Sequence, residues 1–216
     1  MTAELHTGFL TLAFITIAGL LICQLLLRYA PKRSAGPRLL TIREYLEPTS
    51  YIATFAGVLA LVLSAVTGAA AWPADDLLTS PLTRNKIVLT TFALVLWSSV
   101  LFMRWTLKRS LWTYPATALL YIGLATAAYA ITAGVGSLGA HLTQDGSLLD
   151  PLIGAIGIDL TKGMAMTSTV ALAIAVASVV VIIVVLLVAR RTGVAKRELK
   201  DTGPGPWPRW DERPSK

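Results

Sequence analysis

Cysteine is almost missing from this chain. Cys23 is the single one in 216 residues, which excludes an internal disulfide and any cysteine-built metal cluster. Charge is scarce as well: Asp, Glu, Lys and Arg make up 14% of the residues, against about 25% in ordinary soluble domains. Histidine occurs only at His6 and His141. No Gly-x-Ser-x-Gly turn, HExxH helix or phosphate-binding loop is present, so the motifs of the common hydrolases and nucleotide-handling enzymes are lacking. Met1–Thr7 holds Glu4 but no Lys or Arg, so the basic leader of a secretory signal peptide is not expected there.

What fills the space is apolar sequence. Hydrophobic residues reach 55% and mean hydropathy is +0.66, and the stretch from Ala116 onward, ATALLYIGLATAAYAITA, carries no charge. A soluble protein can bury one such helix. Here the pattern recurs in four other places, so lipid is the burying solvent. A hydrocarbon core roughly 30 Å thick needs about 20 helical residues. This predicts an all-α, polytopic membrane helix bundle of five transmembrane helices over 8–27, 52–71, 87–103, 116–133 and 165–189. An outer loop is expected over 134–163, with an interfacial or re-entrant turn in LLDPLIGAIGI, and a basic, proline-rich tail over 192–216. The connection Tyr29–Ser50, with Pro31, Pro37 and Pro48, is expected on the inner surface with a helical turn around Ile42–Leu46.

Orientation follows from the basic residues. Of the 19 Lys and Arg, 16 flank the spans on one side and only Arg84, Lys86 and Lys162 fall on the other. The positive-inside rule then places the N-terminus outside and the C-terminus in the cytoplasm, as in a prokaryotic cytoplasmic membrane. The formal charge of +7 is thereby explained by insertion and contact with anionic lipid, and nucleic acid is not needed to account for it.

The five expected spans contain no Asp, Glu, Lys, Arg or His. Ion-coupled transporters keep such groups within the bilayer because their cost is tolerated only for function, so transport is not the expected activity. His6 and His141 fall at the outer ends of the first and fourth spans, and Met164 and Met166 open the fifth at the same face. Haem iron accepts His and Met as axial ligands, which makes these four residues candidates for holding haem b. The competing interpretation is interfacial polar histidines and packing methionines. Two ladders of small residues, Ala56, Ala60, Ser64 and Gly68 in the second span and Thr126, Ala130 and Gly134 in the fourth, suit close helix packing and predict that these two spans face each other. Asp145, Asp150 and Asp159 fit no calcium-loop spacing. A quinone or other small molecule would require a lipid-accessible pocket.

The order LHTGFLTLAFITIAGLL, VTGAAAW, TRNKIVLTTFALVLWSSVLFMRW and GVGSLGAHLTQDGS resembles an uncharacterised four-helix integral membrane domain, known only as a domain of unknown function. The likeness covers roughly residues 5–147, and the fifth helix is additional. It implies a histidine opening the first helix, a glycine and tryptophan closing the second, and a glycine-rich segment after the fourth, places that His6, Gly68, Trp72, Gly136, Gly139 and Gly146 would take. Together these features predict an integral membrane protein acting as a structural or accessory subunit of a membrane complex, such as a respiratory one, in contact with the lipid bilayer and with other subunits or a second copy. The alternative is a small cytochrome b-like electron-transfer protein using His6 and His141, or one His with Met164 or Met166.

Overall fold

The computed structural model describes residues 2–29, 36–71, 80–107, 111–112, 114–143, 151, 155 and 168–191. Among these there is no strand. Five helices follow in order: α1 Thr2–Tyr29, α2 Gly36–Ala71, α3 Pro81–Leu107, α4 Pro115–Thr143 and α5 Ser168–Arg191. The first four are long and apolar enough to cross a membrane, whereas α5 contributes a shorter apolar stretch over Val176–Val188. The expected tail 192–216, most of the 144–163 part of the expected loop, and the methionines at 164 and 166 lie outside the described residues.

Local sequence explains where the helices begin. Pro81 and Pro115 occupy first helical positions, where a missing N–H costs nothing. The Arg84 amide bonds the Ser80 carbonyl at 3.1 Å and the Ala118 amide bonds that of Tyr114 at 3.1 Å. Thr117 adds its hydroxyl, donating to the Leu111 and Tyr114 carbonyls.

The first four helices all run further than the expected spans, and α2 and α4 do so through residues read as breaks. The Tyr29–Ser50 connection was expected as a surface segment with one helical turn, yet α2 is continuous from Gly36 through Pro48. Proline removes one backbone bond, and hydroxyls flank the gap: Thr49 donates to the Tyr45 carbonyl at 2.7 Å and Ser50 to that of Glu47 at 2.9 Å. Likewise α4 does not dissolve at Gly134 but continues through Gly136, Gly139 and His141 to Thr143, correcting the start of the expected 134–163 loop. Glycine costs a helix about 1 kcal/mol in water. Where no water competes for backbone groups, the helix is the only way to satisfy them.

Packing pairs the helices into hairpins. α1 lies against α2 and α3 against α4, with α2 touching α3, α1 touching α4 and α5 resting on α3. Three helices bury stripes at three- and four-residue spacing: Leu10, Ala13, Ile17 and Leu20 on α1, Ala93, Leu96, Trp97, Val100 and Met103 on α3, Tyr121, Ala125 and Ala128 on α4. Between α3 and α4 the buried Trp97 indole donates to the Thr132 hydroxyl at 2.9 Å, and Thr132 passes its own hydrogen to the Ala128 carbonyl. Between α1 and α4 Phe14 and Tyr129 stack at 4.4 Å with planes 2° apart. The opposite faces are apolar and exposed, as at Ile15, Ile22, Leu63 and Leu119, the distribution expected of helices lying in lipid.

The two helices of the first hairpin are staggered. Gly57 of α2 meets Leu10 of α1, and Leu46 of α2 meets Gly19. Continued at about 1.5 Å per residue, the start of α1 comes level with α2 some two turns before Ala71. Every residue from Ala65 to Ala71 is exposed. At 36 residues, α2 is also much longer than a bilayer core about 30 Å thick. Its charged first half therefore runs beside apolar turns of α1, while its last turns extend past the bundle.

Candidate functional site

The two histidines fall at one end of the bundle, the end where α1 starts and α2 and α4 finish. Both lie inside helices, whereas the expected spans stopped short of them. His6 is buried, continuing the Leu10–Ala13–Ile17 stripe, and His141 is half-buried. Measured along the helix axes from the Phe14–Tyr129 stack, His6 lies about 12 Å and His141 about 18 Å toward this end. The structure thus brings two of the four candidate ligands to a common end, and the other two, Met164 and Met166, lie outside the described residues. Among the described residues no three His, Cys, Asp or Glu side chains gather where they could hold a metal ion.

The opposite end carries a cluster that the sequence pattern did not reveal. Arg43 of α2 donates from Nε and Nη2 to Glu47 Oε1 at 3.2 and 3.1 Å, and from Nη1 to the Gln24 side-chain carbonyl of α1 at 3.1 Å. Arg104 of α3 reaches Glu47 Oε2 at 3.5 Å. The Glu47 carboxylate thus ties α2 to α3, and Arg43 carries the link on to α1. The side chains are well shielded, at 11% exposure for Arg43, 19% for Glu47 and 10% for Arg104. Beyond the cluster Tyr121 of α4 packs against Trp112, ring edge to ring face at 5.9 Å. The available signal was the i, i+4 spacing of Arg43 and Glu47, a helical pair. It was hidden because the segment was read as a surface connection.

The expected packing ladders do not make the close helix contacts. Ala56, Ala60 and Ser64 are only half-buried, Gly68 is exposed with open space where a Cβ would go, and Gly134 also borders open space. Thr126 and Ala130 are exposed. The expected contact of α2 with α4 is replaced by α4 packing on α3 and α1. The close approach uses Gly57, one residue along from Ala56. A Cβ at Gly57 would stand 2.4 Å from Leu10 Cδ2, 2.8 Å from its Cγ and 3.3 Å from its backbone nitrogen.

A lateral cleft of about 340 Å³ opens between α3 and α5, walled by Leu94, Ser98 and Phe102 on one side and Ile182 and Leu186 on the other. It is apolar apart from hydroxyls. The chain matches no known family model, no curated protein and no solved structure, and none of these comparisons supports the expected four-helix domain of unknown function.

Proposed function

We propose that this protein is a structural or accessory subunit of a membrane complex, with α5 as a fifth span, the N-terminus outside and the basic tail on the cytoplasmic side of a prokaryotic cytoplasmic membrane. The observation that carries the reading is the end of α2. Its last turns are exposed at every position from Ala65 to Ala71, and Gly68, which falls within about 20° of Gly57 around the helix, lies past the start of α1 with open space where a Cβ would go. Small residues let two helix backbones approach in lipid, where the hydrophobic effect supplies no attraction between helices. A helix built this way and left open suits a partner helix from another subunit or a second copy. The orientation draws support from the distribution of Lys and Arg.

Purification in mild detergent tests this. The protein is expected to run as an assembly larger than one 23.1 kDa chain, with a co-purifying subunit or a second copy. Ala60→Leu with Gly68→Leu is expected to break that assembly while leaving the thermal unfolding midpoint unchanged. A monodisperse monomer with nothing attached contradicts the reading.

A second reading has its own observation: His6 and His141 both belong to helices and share one end of the bundle. This favours a small cytochrome b-like protein with His6 and His141 as axial ligands, or one of them with Met164 or Met166. The facing helices of a bundle are the usual setting for haem ligands. Protein expressed with sufficient haem should then show a Soret band that His6→Ala or His141→Ala removes. A spectrum without that band eliminates the cytochrome.

A further inference from the structure

We propose that the lateral cleft between α3 and α5 is a binding site for a lipid-soluble quinone. Its volume of about 340 Å³ falls at the lower end of the range that small-molecule sites occupy, and its lining is of their kind, apolar with very few polar groups. Leu94, Phe102, Ile182 and Leu186 supply the walls, and Ser98 and Ser99 supply the hydroxyls.

Position and chemistry narrow the ligand. Ser98 lies about 9 Å along α3 from Arg104, toward the middle of the helix, so the cleft opens to hydrocarbon and its occupant arrives through the lipid. The lining carries no charged side chain, and an ion there would have no counter-charge. The ligand is therefore neutral. Of the two hydroxyls, Ser99 donates to the Val95 carbonyl at 2.8 Å, whereas Ser98 is exposed and makes no hydrogen bond among the described residues. Its O–H is available to a carbonyl oxygen, the group that a quinone presents. A hydroxyl accepts as readily as it donates, so the same side chain also meets the O–H of the quinol. Phe102 lies one turn along the Ser98 face, where a flat ligand ring can stack against its own. An acyl chain, the other molecule able to enter from the bilayer, uses neither the hydroxyl nor the ring. The site belongs to the α3–α5 side of the bundle and stands apart from the α2 turns offered to a partner.

The test is the thermal unfolding midpoint of the full chain in uncharged detergent, titrated with a decyl-substituted benzoquinone or with decylbenzene, which keeps the tail and ring and lacks the oxygens. The quinone should raise the midpoint saturably, by about 3–6 °C near tenfold above its dissociation constant, and decylbenzene should raise it far less. Ser98→Ala should weaken quinone binding about three- to tenfold, the loss of one neutral hydrogen bond, and leave the decylbenzene response unchanged. Ser178→Ala, which removes a hydroxyl bonded to the Ile174 carbonyl of its own helix, should bind the quinone as the parent does. Leu186→Trp fills the cleft from an exposed position on α5, so it should abolish the saturable rise while keeping the parent midpoint without ligand. No saturable rise with the quinone, full affinity in Ser98→Ala or Leu186→Trp, or an equal rise with decylbenzene would each overturn the proposal, the last by making the cleft a groove for acyl chains.

Discussion

Gly57→Ala lowers the stability of the bundle by about 1–3 kcal/mol, the usual cost of forcing extra volume into a packed interface. The added methyl would meet Leu10 at 2.4 Å from its Cδ2 and 3.3 Å from its backbone nitrogen. Leu10 has no exposed surface and lies within the main core cluster, so its side chain has nowhere to swing and α1 and α2 must part. Gly57→Leu is expected to prevent the hairpin from forming. At Gly68 and Gly134 a Cβ meets nothing within 4 Å, so alanine there is neutral, or stabilising by up to about 1 kcal/mol through helix propensity. Unfolding in detergent micelles separates these cases. A Gly57→Ala protein as stable as the parent would contradict the close contact of α1 with α2.

Glu47→Ala is the second large effect, at about 2–4 kcal/mol, because it removes the one carboxylate that two shielded arginines share. The loss should exceed that of any exposed ion pair, which contributes 1 kcal/mol or less. Glu47→Gln, which keeps the shape and a hydrogen-bond acceptor, should cost less than Glu47→Ala. A double-mutant cycle of Glu47→Ala with Arg104→Ala isolates the link between hairpins. Strict additivity of the two changes would mean that the cluster does not hold α2 to α3.

Composition made the solvent legible before any coordinates. Uncharged runs of about 20 residues have one stable setting, and α1, α2, α3 and α4 are the helices that such runs produce. The helix ends were less legible. Charge and glycine were read as stop signals, yet α2 begins at Gly36, before Arg38, and α4 passes three glycines before Thr143. In both places helical hydrogen bonds outweigh local propensity, because helix is the form that leaves no backbone group unsatisfied in an apolar setting.

Small-residue spacing showed that α2 could approach another helix closely without showing which face would do so. Gly57 lies about 100° around the helix from Ala56 but within about 20° of Ser64 and Gly68, so the far end of the ladder shares its face and finds no partner because α1 does not extend that far. The Arg43–Glu47–Arg104 cluster was hidden for a related reason, since Glu47 and Arg104 lie 57 positions apart in sequence and only the hairpin register joins them. The histidines could be read as sharing an end, but their place within helices depended on the extra turns of α1 and α4.

The account stands on the outward faces of these helices being bathed in lipid. Ile15, 60% exposed near the middle of α1, is the position that reads this directly. With Cys23→Ser removing the native thiol and Ile15→Cys carrying a nitroxide label, the protein in lipid vesicles should show relaxation dominated by molecular oxygen, which concentrates in hydrocarbon. Relaxation dominated instead by a water-soluble nickel complex at that site would contradict the membrane assignment and everything built on it.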